Sequence, residues 1–167
     1  MPNSASARIN ELGLSLPELA APIGSYVPYK LLTGSNGPAL LYTSGMIPIV
    51  AGKPILTGQV GAGVTIEQAQ QCARLCALNA LAWVRQAIQG EEGFAGMDGI
   101  DSIREVVQVR GFVACGPDFA EHPRVLNAAS DLLVEIFGDA GRHTRSAVGC
   151  SSLPLNVPVE IDFLFAL

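Results

Sequence analysis

Thr144-Arg145-Ser146-Ala147-Val148-Gly149-Cys150, then Ser151-Ser152-Leu153-Pro154-Leu155-Asn156, then Val157-Pro158-Val159-Glu160-Ile161-Asp162-Phe163-Leu164-Phe165-Ala166-Leu167 is the stretch whose reading decides the fold. The outer segments read as two strands and the middle one as their connection. In the second strand Val159, Ile161, Phe163 and Phe165 alternate with Glu160 and Asp162, so both carboxylates share the face opposite the apolar one. On composition alone these are solvated charges, and Arg145, near the start of the first strand, is a surface residue. Spacing leaves open whether Arg145 and Glu160 meet, because the centre of the turn sets the register.

Upstream, Asp118 to Pro123 opens a helix that runs to Phe137, with Pro123 in its first turn and Gly138 just past its end. Ile103 to Cys115, carrying Val106, Val107, Val109, Phe112 and Val113, reads as a strand, and Glu91 to Asp101 as a flexible glycine-bearing linker. Thr65 and Gln68 form a capping box for a helix from Ile66 to about Gln89, which Gly90 ends. Ile66, Ala69, Ala73, Cys76, Ala80, Trp83, Ala87 and Ile88 fall on one face of it, which marks a core helix. Val27–Leu32 and Ala39–Thr43 read as a hairpin around Gly34-Ser35-Asn36-Gly37-Pro38, and a short run from Met46 to Val50 precedes Ala51-Gly52-Lys53-Pro54. Ser4 to Leu12 reads as a short helix and Pro17 to Ala21 as an irregular connection. This order predicts one domain over residues 1–167, with 1–21 an N-terminal extension. Its architecture is α+β: a two-layer sandwich of a mixed β-sheet with two helices on one face.

Apolar residues make up 49% of the chain and charged ones only 15%, which suits a packed domain with some apolar surface facing another subunit. The apolar run Leu75–Val84 is far shorter than the roughly 20 residues a bilayer span needs, and Met1–Arg8 lacks the pattern of a signal peptide. The expectation is a cytoplasmic protein without a membrane partner. A net charge of −5 lacks the basic footprint that nucleic-acid binding rests on. The four cysteines, 72, 76, 115 and 150, show no CxxC spacing and read as reduced thiols, largely in the core.

Metal and triad chemistry find little support. Trp83 and the Cys72/Cys76 pair sit at helical spacing that signals packing rather than a ligand box or metal clamp. His122 and His143, the two histidines, read as surface or capping residues, and no HExxH or Ser/His/Asp array is present. Gly58-Gln59-Val60-Gly61-Ala62-Gly63 lacks the Lys-Ser/Thr of a phosphate loop. No metal and no cofactor are expected.

Thr144-Arg145-Ser146-Ala147-Val148, Leu153-Pro154 and Val159-Glu160-Ile161 together resemble the C-terminal signature of the Rid, or YjgF, family. Ile23-Gly24-Ser25-Tyr26 resembles that family's Ile-Gly-Pro-Tyr segment, and Thr43-Ser44-Gly45-Met46-Ile47-Pro48 its Ser-Gly-Gln-hydrophobic-Pro segment. Asn127 falls where its second helix carries Asn, so the likeness spans roughly Pro22 to Ala166. The resemblance implies a chorismate-mutase-like fold, a homotrimer with sites between subunits, and hydrolysis of reactive enamines and imines of small 2-imino acids to keto acids and ammonia. It also implies that Arg145 binds the substrate carboxylate and Glu160 positions water or moves a proton. Tyr26, Ser44, Gly45, Asn127 and Ala147 would then be substrate-binding residues.

The sequence departs from the family pattern in places. Ala147 stands where the well-studied branch carries Cys, so only its backbone carbonyl is available, and Met46 and Ser25 replace Gln and Pro. The chain is also longer at the N-terminus, around Ser35-Asn36 and around Glu91–Asp101, which points to a longer-chain branch and leaves the substrate's side chain open. A non-catalytic trimer that binds small carboxylates in the same cleft is the competing reading. Ribonuclease, a label attached to this family, fits the acidic balance least.

Overall fold

The computed structural model describes residues 4–22, 24–33, 37–89, 91, 94, 96 and 98–167. Ile23, the Gly34-Ser35-Asn36 part of the expected turn and the expected helix stop at Gly90 lie outside the described residues. The chain runs α1 (Ala5–Glu11), β1 (Tyr29–Leu32), β2 (Leu40–Thr43), β3 (Ile49–Val50), β4 (Lys53–Pro54), β5 (Gln59–Val60), β6 (Gly63–Val64), α2 (Ile66–Ile88), β7 (Glu105–Ala114), α3 (His122–Phe137), β8 (Thr144–Cys150) and β9 (Val159–Ala166). Five strands form the main sheet in the order β1-β2-β9-β7-β8, antiparallel except for β7 and β8, which lie parallel with α3 as their crossover. The expected α+β sandwich with a mixed sheet is the observed one.

α2 begins at the expected capping box: Thr65 Oγ1 accepts from the Gln68 amide at 3.2 Å, and Gln68 Oε1 accepts from the Thr65 amide at 2.9 Å. Small residues dominate its buried side, where Ala69, Cys72, Ala73, Cys76, Ala77 and Ala80 are fully buried. Small side chains let the helix lie close to the sheet and to α3. Burial spreads beyond the single stripe read from the sequence to Cys72, Ala77, Leu81 and Val84, because α2 meets two neighbours. For the same reason Ile66 and Trp83, at the edges of that contact, are only half-buried. The sheet answers with Leu41, Val106, Val109, Val113, Ile161 and Phe165, all at most 1% exposed.

The expected linker before β7 is partly structured. Gly99–Ser102 forms a 3₁₀ turn capped by the Asp98 carboxylate, which also pairs with Arg85 of α2 at 3.2 Å. The N-terminal helix docks onto the same region: Ser6 donates from its amide and its hydroxyl to Asp101 at 2.8 and 2.7 Å, and Arg8 Nε donates to the Glu135 carbonyl of α3. Residues 18–22 are thereby brought across the body of the protein. Val50 and Lys53 close a tight hairpin whose two turn residues, Ala51 and Gly52, both have positive φ, as two-residue hairpins of matching twist require.

α3 sits where it does because of a pair of small residues. Gly111 of β7 lies opposite Ala147 of β8, and a Cβ on Gly111 would run into the Leu126 side chain of α3. Replacing Gly111 by Ala should therefore destabilise the protein by about 1–3 kcal/mol in urea unfolding. Leu126→Ala alone should cost about 2–5 kcal/mol. The double variant should be less unstable than the two losses added together, because the truncated Leu126 no longer meets the new methyl group.

Candidate functional site

Two clusters of polar side chains flank the sheet, one on each face. The first surrounds Glu160. Val159 and Ile161 are fully buried on the helix side, so Glu160 between them projects from the open face. Met46 bridges to Ile161 through paired backbone bonds of 2.7 and 3.0 Å, which lays residues 44–46 alongside β9. Gly45 thereby rests against the Glu160 carboxylate, and any Cβ at this position would collide with it. Ser44 is held in turn, its amide donating to the Pro28 carbonyl at 2.8 Å and its hydroxyl to the Val27 carbonyl at 2.7 Å. Thr43 Oγ1 accepts from the Phe163 amide at 2.9 Å and ties the end of β2 to β9. Tyr26, Ser44, Gly45, Arg110, Glu160 and Asp162 line the resulting cleft of about 400 Å³.

The charges in this cleft are unevenly shared. Arg110 Nε donates to Asp162 Oδ1 at 2.8 Å, and that bond raises the guanidinium's pKa. Glu160 is left without the cation. Its half-burial, and secondarily the negative charge of Asp162, push its carboxyl above the usual glutamate range. Composition alone reads both carboxylates as solvated; both are half-buried, because residues 43–46 and the Arg110 side chain cover that end of the strand.

The second cluster surrounds Arg145. It pairs in register with the buried Val109 and points toward α3, where its Nη1 donates to Asn127 Oδ1 and to Ser130 Oγ, both at 3.0 Å. His143 Nδ1 faces the Gly141 carbonyl at 2.7 Å and must donate to it, which leaves Nε2 as an acceptor for the Ser130 hydroxyl at 2.9 Å. Burial, assisted by the positive charge of Arg145, holds His143 below the usual imidazole range and favours this neutral form. The chain of bonds runs from Arg145 through Ser130 and His143 to the backbone. Both hydrogens of Nη1 are used in it, so the edge formed by Nε and Nη2 is free, and among the described residues no carboxylate pairs with it. That edge is the one that grips a carboxylate bidentately.

The expected site residues thus fall into two sets. Tyr26, Ser44, Gly45 and Glu160 share the cleft on the open face. Arg145 and Asn127 are bonded to each other on the helix face, with Ala147 two residues further along the same side of β8 and packed against the core. Within one chain the sheet separates Arg145 from Glu160.

The histidines differ from the surface or capping roles expected of them. His143 is a half-buried link of the Arg145 network, and His122 stacks edge-on against Phe119 with Nε2 3.4 Å from Cys115 Sγ, because β8 and the first turn of α3 enclose both. Sequence reading missed Ser130 and Arg110. Ser130 lies three residues after Asn127, a helical spacing that puts both on one face and was the available signal for it. Arg110 had no such signal, since its partner Asp162 comes from another strand. The four cysteines are unpaired, with Cys150 the one less than fully buried. Among the described residues no group of three or more His, Cys, Asp or Glu side chains could hold a metal ion. No described helix is long and apolar enough to cross a membrane.

Known proteins share this fold. Protein TCP17 of Trypanosoma cruzi is 36% identical over 163 residues, 97% of this chain and 93% of its own length. The crystal structure of an Agrobacterium tumefaciens protein of unknown function, 40% identical, superposes with a TM-score of 0.79 over 98% of this chain and 92% of its own. A Shewanella oneidensis structure described as "a putative endoribonuclease", 36% identical, reaches a TM-score of 0.85 over 99% of this chain and 100% of its own. The model of the family described as "YjgF/chorismate mutase-like, putative endoribonuclease" matches residues 6–167. With nearly the whole chain matched, the protein belongs to the YjgF/chorismate mutase-like, or Rid, family.

Proposed function

We propose that the protein is an enamine/imine deaminase that hydrolyses small 2-imino acids to keto acids and ammonia. The observation that carries this reading is the state of Arg145: half-buried, oriented by Asn127 and Ser130, and presenting a bidentate edge on which, among the described residues, no carboxylate sits. A small carboxylate is the ligand that such an edge fits best.

In this reading the active unit is a homotrimer, and each site takes Arg145 from one copy and the Glu160 cleft from its neighbour. The placement of the two sets on opposite faces of one sheet supports it. So does the open face itself, where Val148 lies opposite Phe112 and Tyr42 opposite Leu164, and Tyr42 and Val148 are 43% and 47% exposed. Arg145 anchors the carboxylate, and Tyr26, Ser44 and Gly45 line the wall beside the imine. Glu160 takes a proton from water as the water oxygen bonds to C2 and the C=N π electrons move onto nitrogen. It returns that proton to the amine. The C–N bond then breaks and ammonia leaves as the hydroxyl oxygen forms the ketone and passes its own proton to Glu160. An upward-shifted carboxyl is suited to both proton transfers, since general acid–base work favours a pKa near the operating pH. The iminium carbon is already electrophilic, so orientation, a water and a proton route supply most of what the step needs.

Purified protein added to a serine or threonine dehydratase reaction should speed keto-acid formation; a flat response with several amino acids would refute the assignment. Arg145→Ala should lose about 2–5 kcal/mol of carboxylate binding. Arg145→Ala and Glu160→Gln subunits, each inactive alone, should regain activity when assembled together, because a mixed trimer holds sites with both groups. No recovery in verified mixed trimers would place both residues of a site in one copy.

The raised pKa of Glu160 also has a stability signature. A carboxyl that binds its proton more tightly folded than unfolded contributes stability at low pH and loses it as pH rises through its folded value. The melting temperature of Glu160→Gln should therefore match that of the wild type in acid. It should move above it as pH passes from the ordinary glutamate range to neutrality, and stay above at higher pH. Parallel melting curves across this window would show that the carboxylate carries no burial penalty.

A further inference from the structure

Tyr26, Ser44 and Gly45, which line the cleft at Glu160, also line a second space of about 50 Å³ on their α2 side. Met46, Ile47, Ile49 and Trp83 wall it, and residues 19–22, brought there by the docked N-terminal helix, cover it. Asn79 stands among these walls at 7% exposure. Its Nδ2 donates to the Ile47 and Ile49 carbonyls at 2.9 and 3.2 Å, which fixes the amide and leaves Oδ1 without a donor among the described residues. Trp83 is braced by Tyr29, with ring centroids 6.0 Å apart. Among the described residues no lysine or arginine lines the slot, and the one charged residue there is Glu18.

We infer that this slot is the subsite for the substrate's side chain, and that it selects 2-imino acids with an uncharged, chiefly aliphatic side chain over those with an acidic one. The ligand class rests on the deaminase reading; the slot does not. Its size suits about four water-sized groups, hence a chain of about four heavy atoms. The apolar walls favour hydrocarbon. An acidic side chain would meet the amide oxygen of Asn79 and the carboxylate of Glu18 with no cation to offset them. Because residues 19–22 form its cover, the N-terminal segment is part of the specificity apparatus.

Trp83 is the one tryptophan in the chain, so its fluorescence reports occupancy of the slot without reference to turnover. The full-length protein would be titrated with pyruvate, 4-methyl-2-oxopentanoate and 2-oxoglutarate. In parallel, hydrolysis of the matching imines, generated from alanine, leucine and glutamate by an amino-acid oxidase, would be followed. The branched aliphatic acid should shift Trp83 emission and bind about 10-fold more tightly than pyruvate, with 2-oxoglutarate weakest. Ile49→Phe, at a half-buried position on a surface hairpin, should fill the slot and remove most of that preference. Side-chain-dependent binding without turnover of any imine would leave the subsite standing and overturn the deaminase reading. Turnover that is equal for all three imines and insensitive to Ile49→Phe would do the reverse. Trp83 emission unmoved by any of the three acids would also overturn the subsite.

Discussion

The insertion of β9 between β2 and β7 is the constraint on which the rest of the molecule depends. Antiparallel to both neighbours, it closes the sheet between two parts of the chain that lie far apart in sequence. Its alternation then divides its side chains: Val159, Ile161, Phe163 and Phe165 complete the apolar layer under the helices, while Glu160, Asp162 and Leu164 project from the other side. A one-residue slip would bury two carboxylates and expose two phenylalanines, so the hydrophobic core itself sets the position of Glu160. The bridge from Met46 to Ile161 extends the same register by one more chain segment and places Gly45 against that carboxylate.

On the other face, packing sets the polar geometry in a comparable way. Gly111 and Ala147 keep the sheet low beneath Leu126, so α3 approaches closely enough for Asn127 and Ser130 to reach Arg145. A long cationic side chain loses considerable rotamer freedom when held. Here the ordering is shared among Asn127, Ser130 and His143, whose tautomer is in turn fixed by the Gly141 carbonyl. The guanidinium is thus oriented by neutral acceptors, which leaves its charge available for an anion. A carboxylate partner in place of Asn127 would hold the same geometry but neutralise that charge.

Elements governed by neighbours in sequence were readable from it. The capping box at Thr65, the stop at Gly138 and the two-residue alternation of 159–165 each depend on contacts within a few positions, and each appears as expected. The anchored stretch from Asp98 to Ser102 was not legible, because its order comes from Arg85 and Ser6, distant residues that supply its hydrogen bonds. His143 looked like a surface residue for the same reason: its partner Ser130 stands in another element.

The sequence by itself determined the class of fold and the face of β9 that carries Glu160, since alternation and caps are local properties of the chain. It also contained, in the Arg145 and Glu160 strands, the resemblance that pointed to the family. Only the tertiary structure decided that these two residues face opposite sides of the sheet, that Arg145 keeps a free edge, and that residues 19–22 roof a slot over Trp83. Each of these depends on the register of strands and the seating of helices that are distant in sequence. Such pairings are set by the packing of the whole core, which no local pattern encodes.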